Sequence, residues 1–178
     1  MNVDTKTGLV HEWTLMSRSS SIDKESGMLS LFNVVDRLLV NKEHYEKGLQ
    51  SQSSEEKGEG PKGFVIPAEF EIISMWSKFG FDPLSLEAKT EILDPHGNSL
   101  FRFSYNIFLK EGRRKRRNRS KIKGFKVTGE GLYVINLSVR KDEGEEYRPI
   151  SRLGIDVLLR TFDGKAGQKP EKQPEVND

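Results

Sequence analysis

The residues best suited to chemistry in this sequence form a run of cations after the middle of the chain. Positions 110–123 hold nine basic residues and one acidic residue, Glu111. The nine are Lys110, Arg113, Arg114, Lys115, Arg116, Arg117, Arg119, Lys121 and Lys123. A cluster of this kind can bind nucleic-acid phosphates, an acidic protein partner or an anionic membrane surface. The competing interpretation is a solvated loop whose like charges keep a hairpin from pairing edge to edge.

The charge of this cluster contrasts with the rest of the chain. The whole sequence has 29 basic and 27 acidic residues, a formal net charge of +2. Subtracting the cluster leaves 20 basic and 26 acidic residues, so the remainder carries a net charge of −6. No aromatic residue lies within the cluster, which argues against sequence-specific recognition of single strands by base stacking.

Other residue types that support catalysis or metal binding lack the required patterns. The chain has no cysteine, which removes disulfides, thiolate metal sites and cysteine nucleophiles. The three histidines, His11, His44 and His96, lack the close spacing of zinc ligands. Serine does not occur in a GxSxG motif, and the acidic segment 142–146 resembles a charged hairpin tip more than a calcium loop. We therefore predict no catalytic, cofactor-binding or metal-binding residues.

A glycine motif and two tryptophans have structural interpretations that we favour over functional ones. Gly58 to Gly63 matches the GxGxxG motif. A nucleotide-binding site needs a strand before this motif and a helix after it, but here a polar loop precedes the motif and an apolar strand follows it. Trp13 and Trp76 are predicted to lie in the core. If the neighbouring Phe79-Gly80-Phe81 segment were exposed, it would indicate a protein interface.

Alternation of apolar and polar residues dominates the segments that must position the cations. One run places Phe101, Phe103, Tyr105, Ile107 and Leu109 on one face, and Leu84–Ile92 alternates in the same way. Asp94-Pro95-His96-Gly97-Asn98 lies between them and predicts a β-turn. Similar runs cover 133–139 and 153–159, and the apolar run at 29–40 predicts one central strand. Pro67 indicates an edge or a bulge in the strand region 64–78.

These patterns predict an all-β fold, an antiparallel β-sandwich of about eight strands, with C2-like and immunoglobulin-like topologies both open. We expect the sandwich to span residues 1–162, with a flexible loop at 50–63 and a basic hairpin at 110–123. Residues 163–178 contain too few apolar side chains for burial to offset the conformational entropy that ordering would cost. They are predicted to be a disordered tail. Residues 41–49 could form a helical turn or two.

Several of these segments resemble a family of small uncharacterised bacterial β-sandwich domains of unknown function. The resemblance rests on Trp13-Thr14-Leu15, on the strand pattern of Gly27–Asp36, on Ile66-Pro67 and on Ile92–Gly97. It covers about the first 140 residues and implies a sandwich, but it supplies no activity and no site residues. The chain departs from the family in its basic segment and in Met28, where the family often has lysine.

Together these observations predict a non-enzymatic binding or assembly module of bacterial or phage origin that acts through protein–protein contacts. The first alternative is a nucleic-acid-associated protein that uses the basic hairpin, and the second is an enzyme with a site assembled from distant residues. No stretch approaches the roughly 20 apolar residues of a membrane span, and the N-terminus lacks a signal-peptide pattern. We therefore expect a cytoplasmic location.

Overall fold

Strands account for most of the chain in the computed structural model, which describes residues 2–52 and 61–162. Within these residues there are ten strands and one helix, more strands than the eight predicted. They are β1 (Asn2–Asp4), β2 (Leu9–Ile22), β3 (Leu29–Val34), β4 (Arg37–Asn41), α1 (Lys42–Gln52), β5 (Phe64–Lys78), β6 (Leu84–Leu93), β7 (Ser99–Leu109), β8 (Lys115–Val127), β9 (Gly131–Arg140) and β10 (Arg148–Arg160). The all-β prediction is confirmed.

The strands form two five-stranded sheets. The first has the order β1-β2-β5-β8, and β3 also pairs with β2. The second has the order β4-β10-β9-β6-β7. Neighbouring strands are antiparallel as predicted, with the exception of the parallel pair β4 and β10.

One hydrophobic core lies between the two sheets. Trp76 of β5, Phe125 of β8 and Tyr133 of β9 are buried there, and the rings of Phe125 and Tyr133 approach to 5.5 Å. Alternation explains this packing, because β6 and β9 bury every second side chain along their length. The prediction that Trp76 belongs to the core is correct, whereas Trp13, predicted to lie there as well, is half-buried and outside the core cluster.

The predicted turn at Asp94 joins β6 to β7. The Asp94 carboxylate accepts hydrogen bonds from the backbone N–H groups of His96 and Asn98 at 2.9 and 2.8 Å. It also accepts one from the hydroxyl of Thr128 in the connection between β8 and β9. Burial alone would raise the pKa of Asp94, but these hydrogen bonds outweigh it and lower the pKa. The turn is thereby tied to the opposite sheet.

Three expectations about segments need correction or restriction. The predicted basic hairpin at 110–123 is not a hairpin, because β7 and β8 belong to different sheets and six of its nine cations lie within β8. Residues 29–40, expected as one strand, are divided between β3 and β4 in opposite sheets. Of the predicted loop 50–63, residues 50–52 end α1 and 61–63 precede β5. Residues 53–60 and the predicted tail at 163–178 lie outside the described residues.

Two smaller features agree with the sequence. Helix α1 occupies the segment for which a helical turn was expected. Pro67 lies in an irregularity of β5, where the register with β8 shifts between Ile66 and Glu69. In the part of the chain that the structure describes, no helix is long and apolar enough to cross a membrane.

Candidate anion-binding site on the edge strand

Strand β8 carries most of the basic cluster at one edge of the first sheet. Lys115, Arg116, Arg117, Arg119, Lys121 and Lys123 lie in β8, and Lys110, Arg113 and Arg114 lie in the connection that precedes it. β8 pairs with β5 along its whole length, from Ser77 opposite Lys115 to Phe64 opposite Val127. Within the described residues β8 has no second strand neighbour. The backbone groups that point away from β5 therefore form a free edge.

Alternation along β8 sorts its cations onto two faces. Ile122, Phe125 and Val127 enter the core, and the side chain of Asn118 donates to the hydroxyl of Ser120 at 3.3 Å. The opposite face carries Lys115, Arg117, Arg119, Lys121 and Lys123, which we name the cation column. Successive members lie about 7 Å apart along the strand, since each is two residues from the next.

Carboxylates compensate only part of this charge. Lys115 pairs with Glu12 at 3.1 Å, and Lys121 lies 3.9 Å from the buried carboxylate of Glu71. Across residues 2–52 and 61–162, no other member of the nine-residue cluster has a carboxylate oxygen within 4.0 Å. Seven cations thus keep their charge without an ion-pair partner among the described residues.

Neutral acceptors hold the arginines of the column in place. Arg117 donates from Nη2 to the backbone oxygen of Gly27 at 3.3 Å, and Arg119 donates from Nη1 to the hydroxyl of Ser20 at 3.4 Å. Both acceptors belong to the β2–β3 hairpin, whose strand β2 adjoins β5. Contacts with neutral oxygens orient a guanidinium but leave its charge available to an anion.

A buried lysine fixes the connection that carries the remaining cations. The side chain of Lys78 is 5% exposed and donates from Nζ to the backbone oxygens of Phe81, Asp82 and Lys110. Its backbone N–H donates to the oxygen of Arg114 at 3.0 Å. The β7–β8 connection is therefore joined to the β5–β6 connection. Sequence reasoning missed this residue, whose only signal was a single lysine at the end of an apolar strand.

Five of the cations surround an open cleft at this end of β8. The cleft has a volume of about 330 Å³ and is lined by Lys110, Arg113, Lys115, Arg116, Arg117, Phe108 and Leu109. Arg116 donates from Nη1 to the backbone oxygen of Phe108 at 2.9 Å, which links β8 to the edge of the other sheet. The structure thus brings all nine predicted residues onto one strand and its preceding connection, with Lys121 and Lys123 toward the far end.

Aromatic side chains that the sequence placed outside the cluster lie close to it in space. The rings of Phe101 and Phe103 in β7 are 5.6 Å apart, and those of Phe103 and Tyr105 are 6.1 Å apart. Phe101 also lines a second cleft, of about 160 Å³, together with Ile122 and Lys123 of β8. Phe103 and Tyr105 pack against the core, so of these three rings Phe101 alone is exposed beside a cation of β8, Lys123.

The histidines occupy separate positions, and none of them adjoins the cation column. His11 is buried in β2, His44 lies in α1 and His96 lies in the β6–β7 turn. Nε2 of His11 is 2.7 Å from the hydroxyl of Thr14, and its ring packs edge-on against Trp76 at 4.9 Å. In the described part of the chain, no group of three histidine, aspartate or glutamate side chains could hold a metal ion.

Comparisons with known proteins give only distant likenesses. No family model matches the chain, and no curated protein matches it. Among solved structures, the C-terminal domain of Wzt is 11% identical over 93% of this chain and 85% of that chain, with a TM-score of 0.46. Bacteroides uniformis β-glucuronidase 2 is 18% identical over 55% of this chain, with a TM-score of 0.40, and this chain spans 13% of its length. Pseudomonas fluorescens alkylpurine DNA glycosylase AlkC is 10% identical over 52% of this chain and 26% of that chain, with a TM-score of 0.37. These likenesses are too distant to carry a functional argument.

Proposed function

We propose that this chain is a non-enzymatic binding module that takes up an acidic, extended segment of a partner protein along β8. The observation that carries the proposal is the combination of a free strand edge with the cation column. A free edge offers backbone donors and acceptors to an added strand, and alternate side chains of that strand supply specificity. Five cations on one face favour a partner with acidic residues at every second position.

The geometry of strand pairing makes this preference specific. Side chains directly opposite each other on antiparallel strands lie about 5 Å apart. Glutamates at alternate positions of an added strand would each meet one member of the cation column, whereas consecutive glutamates would turn half of their charges toward the other face. Pairing through the backbone alone would show no such preference.

The competing structural explanation is that the charges protect the edge of the sheet. Lysines and arginines on edge strands prevent two copies of a protein from pairing edge to edge. That role needs only a few charges, and their mutual repulsion destabilises the strand that holds them. Four of the six cations in β8 have no ion-pair partner in the described residues, which exceeds what such protection requires.

A binding assay with matched peptides tests the proposal. We expect a peptide with alternating glutamates, matched in length to Lys115–Lys123, to bind more tightly than a peptide of the same composition with its glutamates consecutive. The double substitution Arg119→Gln and Lys123→Gln should weaken binding by between about twofold and thirtyfold, since each cross-strand pair contributes roughly 0.2–1 kcal/mol. Binding should also weaken as salt is added.

The control substitutes two exposed lysines that lie outside the cluster, Lys24→Gln and Lys47→Gln, and should leave the affinity unchanged. Arg119→Glu with Lys123→Glu should reverse the charge preference and favour a peptide with alternating lysines. Equal affinity for the alternating and consecutive peptides would overturn strand addition. Absence of binding to either acidic peptide would leave edge protection as the explanation.

Nucleic acid is the second candidate, and the exposed ring of Phe101 in β7 is the observation that favours it. Phe101 lines a cleft together with Lys123, and proteins that bind single strands combine aromatic rings with cations. The same assay separates the candidates. Single-stranded DNA that displaces both acidic peptides equally, with an affinity that falls steeply with salt, would favour nucleic acid over a protein segment.

A further inference from the structure

Two connections between strands meet at one end of the sandwich and expose an unusual pair of side chains. β5 ends at Lys78 and β7 ends at Leu109, and each is followed by a connection to the other sheet. Besides the contacts of Lys78, the backbone N–H of Gly112 donates to the oxygen of Phe81 at 3.3 Å. We name the joined segments 79–82 and 110–114 the basic tip.

Two phenylalanines project from the basic tip into solvent. Phe79 and Phe81 are 67% and 62% exposed, and with Met28 they are the most exposed large apolar side chains in the described residues. Gly80 between them has φ +87°, a conformation that glycine adopts without strain, so the turn can hold a ring on each side. Exposed rings of this size are costly in water and mark a surface that something apolar covers.

A cation contacts Phe81, and two more belong to the same tip. The guanidinium of Arg114 lies 4.8 Å from the centre of the Phe81 ring. Lys110 and Arg113 belong to the same tip and line the open cleft described above, together with the half-exposed Phe108. Glu111 and Asp82 are the only carboxylates in the sequence of the tip.

The charged residues of the tip favour a lipid surface over a protein interface. The centre of a protein interface is enriched in aromatic side chains and arginine but depleted of lysine, glutamate and aspartate, whereas the tip includes Lys110, Glu111 and Asp82. Peripheral membrane segments instead combine aromatic side chains, which enter at the headgroup level, with lysines and arginines that meet anionic lipids. The basic tip has the second composition.

We propose that the basic tip docks on an anionic membrane surface, with Phe79 and Phe81 at the level of the headgroups and with Lys110, Arg113 and Arg114 against their negative charges. This site shares the open cleft with Lys115 and Arg117 at the start of the cation column, but the membrane proposal does not depend on the peptide proposal. The sandwich would stand end-on on the membrane and leave the edge of β8 beyond the tip accessible.

Vesicle co-sedimentation tests the proposal with the full chain. We expect binding to phosphatidylcholine vesicles that contain about 30% phosphatidylserine, and little binding to phosphatidylcholine alone. Phe79→Ala with Phe81→Ala should weaken binding about tenfold or more, because both rings lose their lipid contact. Lys110→Gln, Arg113→Gln and Arg114→Gln together should weaken it by a similar factor and reduce its dependence on salt.

Matched controls alter the same residue types elsewhere. Leu39→Ala with Leu132→Ala removes two exposed apolar side chains, and Lys24→Gln, Lys47→Gln and Lys141→Gln remove three cations. Both controls should bind like the original chain, and thermal unfolding should show that every variant is folded. Arg119→Gln with Lys123→Gln impairs the peptide site but should keep most of the vesicle binding. The two proposals can therefore fail independently of each other.

A fluorescence measurement reports insertion directly. After subtraction of the emission of the unsubstituted chain, which contains Trp13 and Trp76, the emission added by Phe81→Trp should shift to shorter wavelength with anionic vesicles, and lipids brominated near the headgroup should quench it. Absence of binding to the anionic vesicles, unchanged binding by the variant lacking Phe79 and Phe81, or an unshifted emission in bound Phe81→Trp would each overturn the proposal. Free glycerophosphoserine should not displace the chain from vesicles; displacement would identify a headgroup pocket instead of a membrane surface.

Discussion

At the scale of single residues, His11 couples the stability of the fold to pH. Its ring is buried against Trp76, and burial lowers its pKa from 6.5 to about 4. Between these two values the unfolded chain binds the proton and the folded chain does not. Stability is therefore fully present above about pH 6.5 and falls as the pH is lowered toward 4.

The predicted size of this effect is roughly 3 kcal/mol between pH 7 and pH 4, at about 1.4 kcal/mol for each pKa unit. Urea unfolding at several pH values measures it. His11→Gln should reduce the difference in unfolding free energy between the two pH values by that amount, whereas His96→Gln in the solvent-accessible turn should leave it as it is. An unaltered pH dependence in His11→Gln would show that carboxylates, and not His11, govern acid unfolding.

At the scale of elements, Lys78 holds two connections in register. Its ammonium group donates to three backbone oxygens, of which those of Phe81 and Lys110 lie at 3.1 and 3.2 Å. Removing the group leaves buried acceptors without a donor, which typically costs about 1–3 kcal/mol.

We predict that Lys78→Met destabilises the fold by about this amount in urea unfolding and weakens vesicle binding as well, because the basic tip loses its order. Lys24→Met, at an exposed position in the β2–β3 turn, is the matched control and should change neither quantity. A stable Lys78→Met variant with unchanged vesicle binding would show that the two connections hold their shape without this lysine.

The elements also show where sequence reasoning succeeds and where it fails. β6, β7, β9 and β10 were predictable because one face of each is apolar and the other polar. Residues 115–123 of β8 were mistaken for a hairpin tip because Arg116, Asn118 and Ser120 occupy its inner face, where Arg116 finds a polar partner in the backbone oxygen of Phe108. Without apolar residues at alternate positions, the strand period is invisible over 115–121.

Features formed between distant segments could not be predicted from the sequence. The parallel pairing of β4 with β10 joins residues more than a hundred positions apart. The carboxylates of Glu12 and Glu71 approach the cation column only because β2, β5 and β8 are neighbours in one sheet. The basic residues themselves were identifiable from composition, since their number departs so far from the rest of the chain. Their arrangement as a column could be recognised only once the pairing register of β8 with β5 was known.

At the scale of the whole molecule, the two proposed surfaces occupy different parts of the sandwich. The cation column follows the outer face of the first sheet along β8, and the basic tip closes the end at which β5 and β7 finish. The core lies between the sheets and contributes to neither surface. A chain of this design could hold an acidic protein segment while its end rests on a membrane.

Hydrogen–deuterium exchange of the β8 backbone in the presence of the alternating acidic peptide tests strand addition most directly. We expect slower exchange for the amides of residues 115–123 that point away from β5, because a new strand supplies them with hydrogen-bond acceptors. Amides of β1, at the other edge of the same sheet, should exchange as before. Peptide binding that leaves the β8 amides unprotected, or that protects β1 instead, would contradict the claim that β8 is the docking edge.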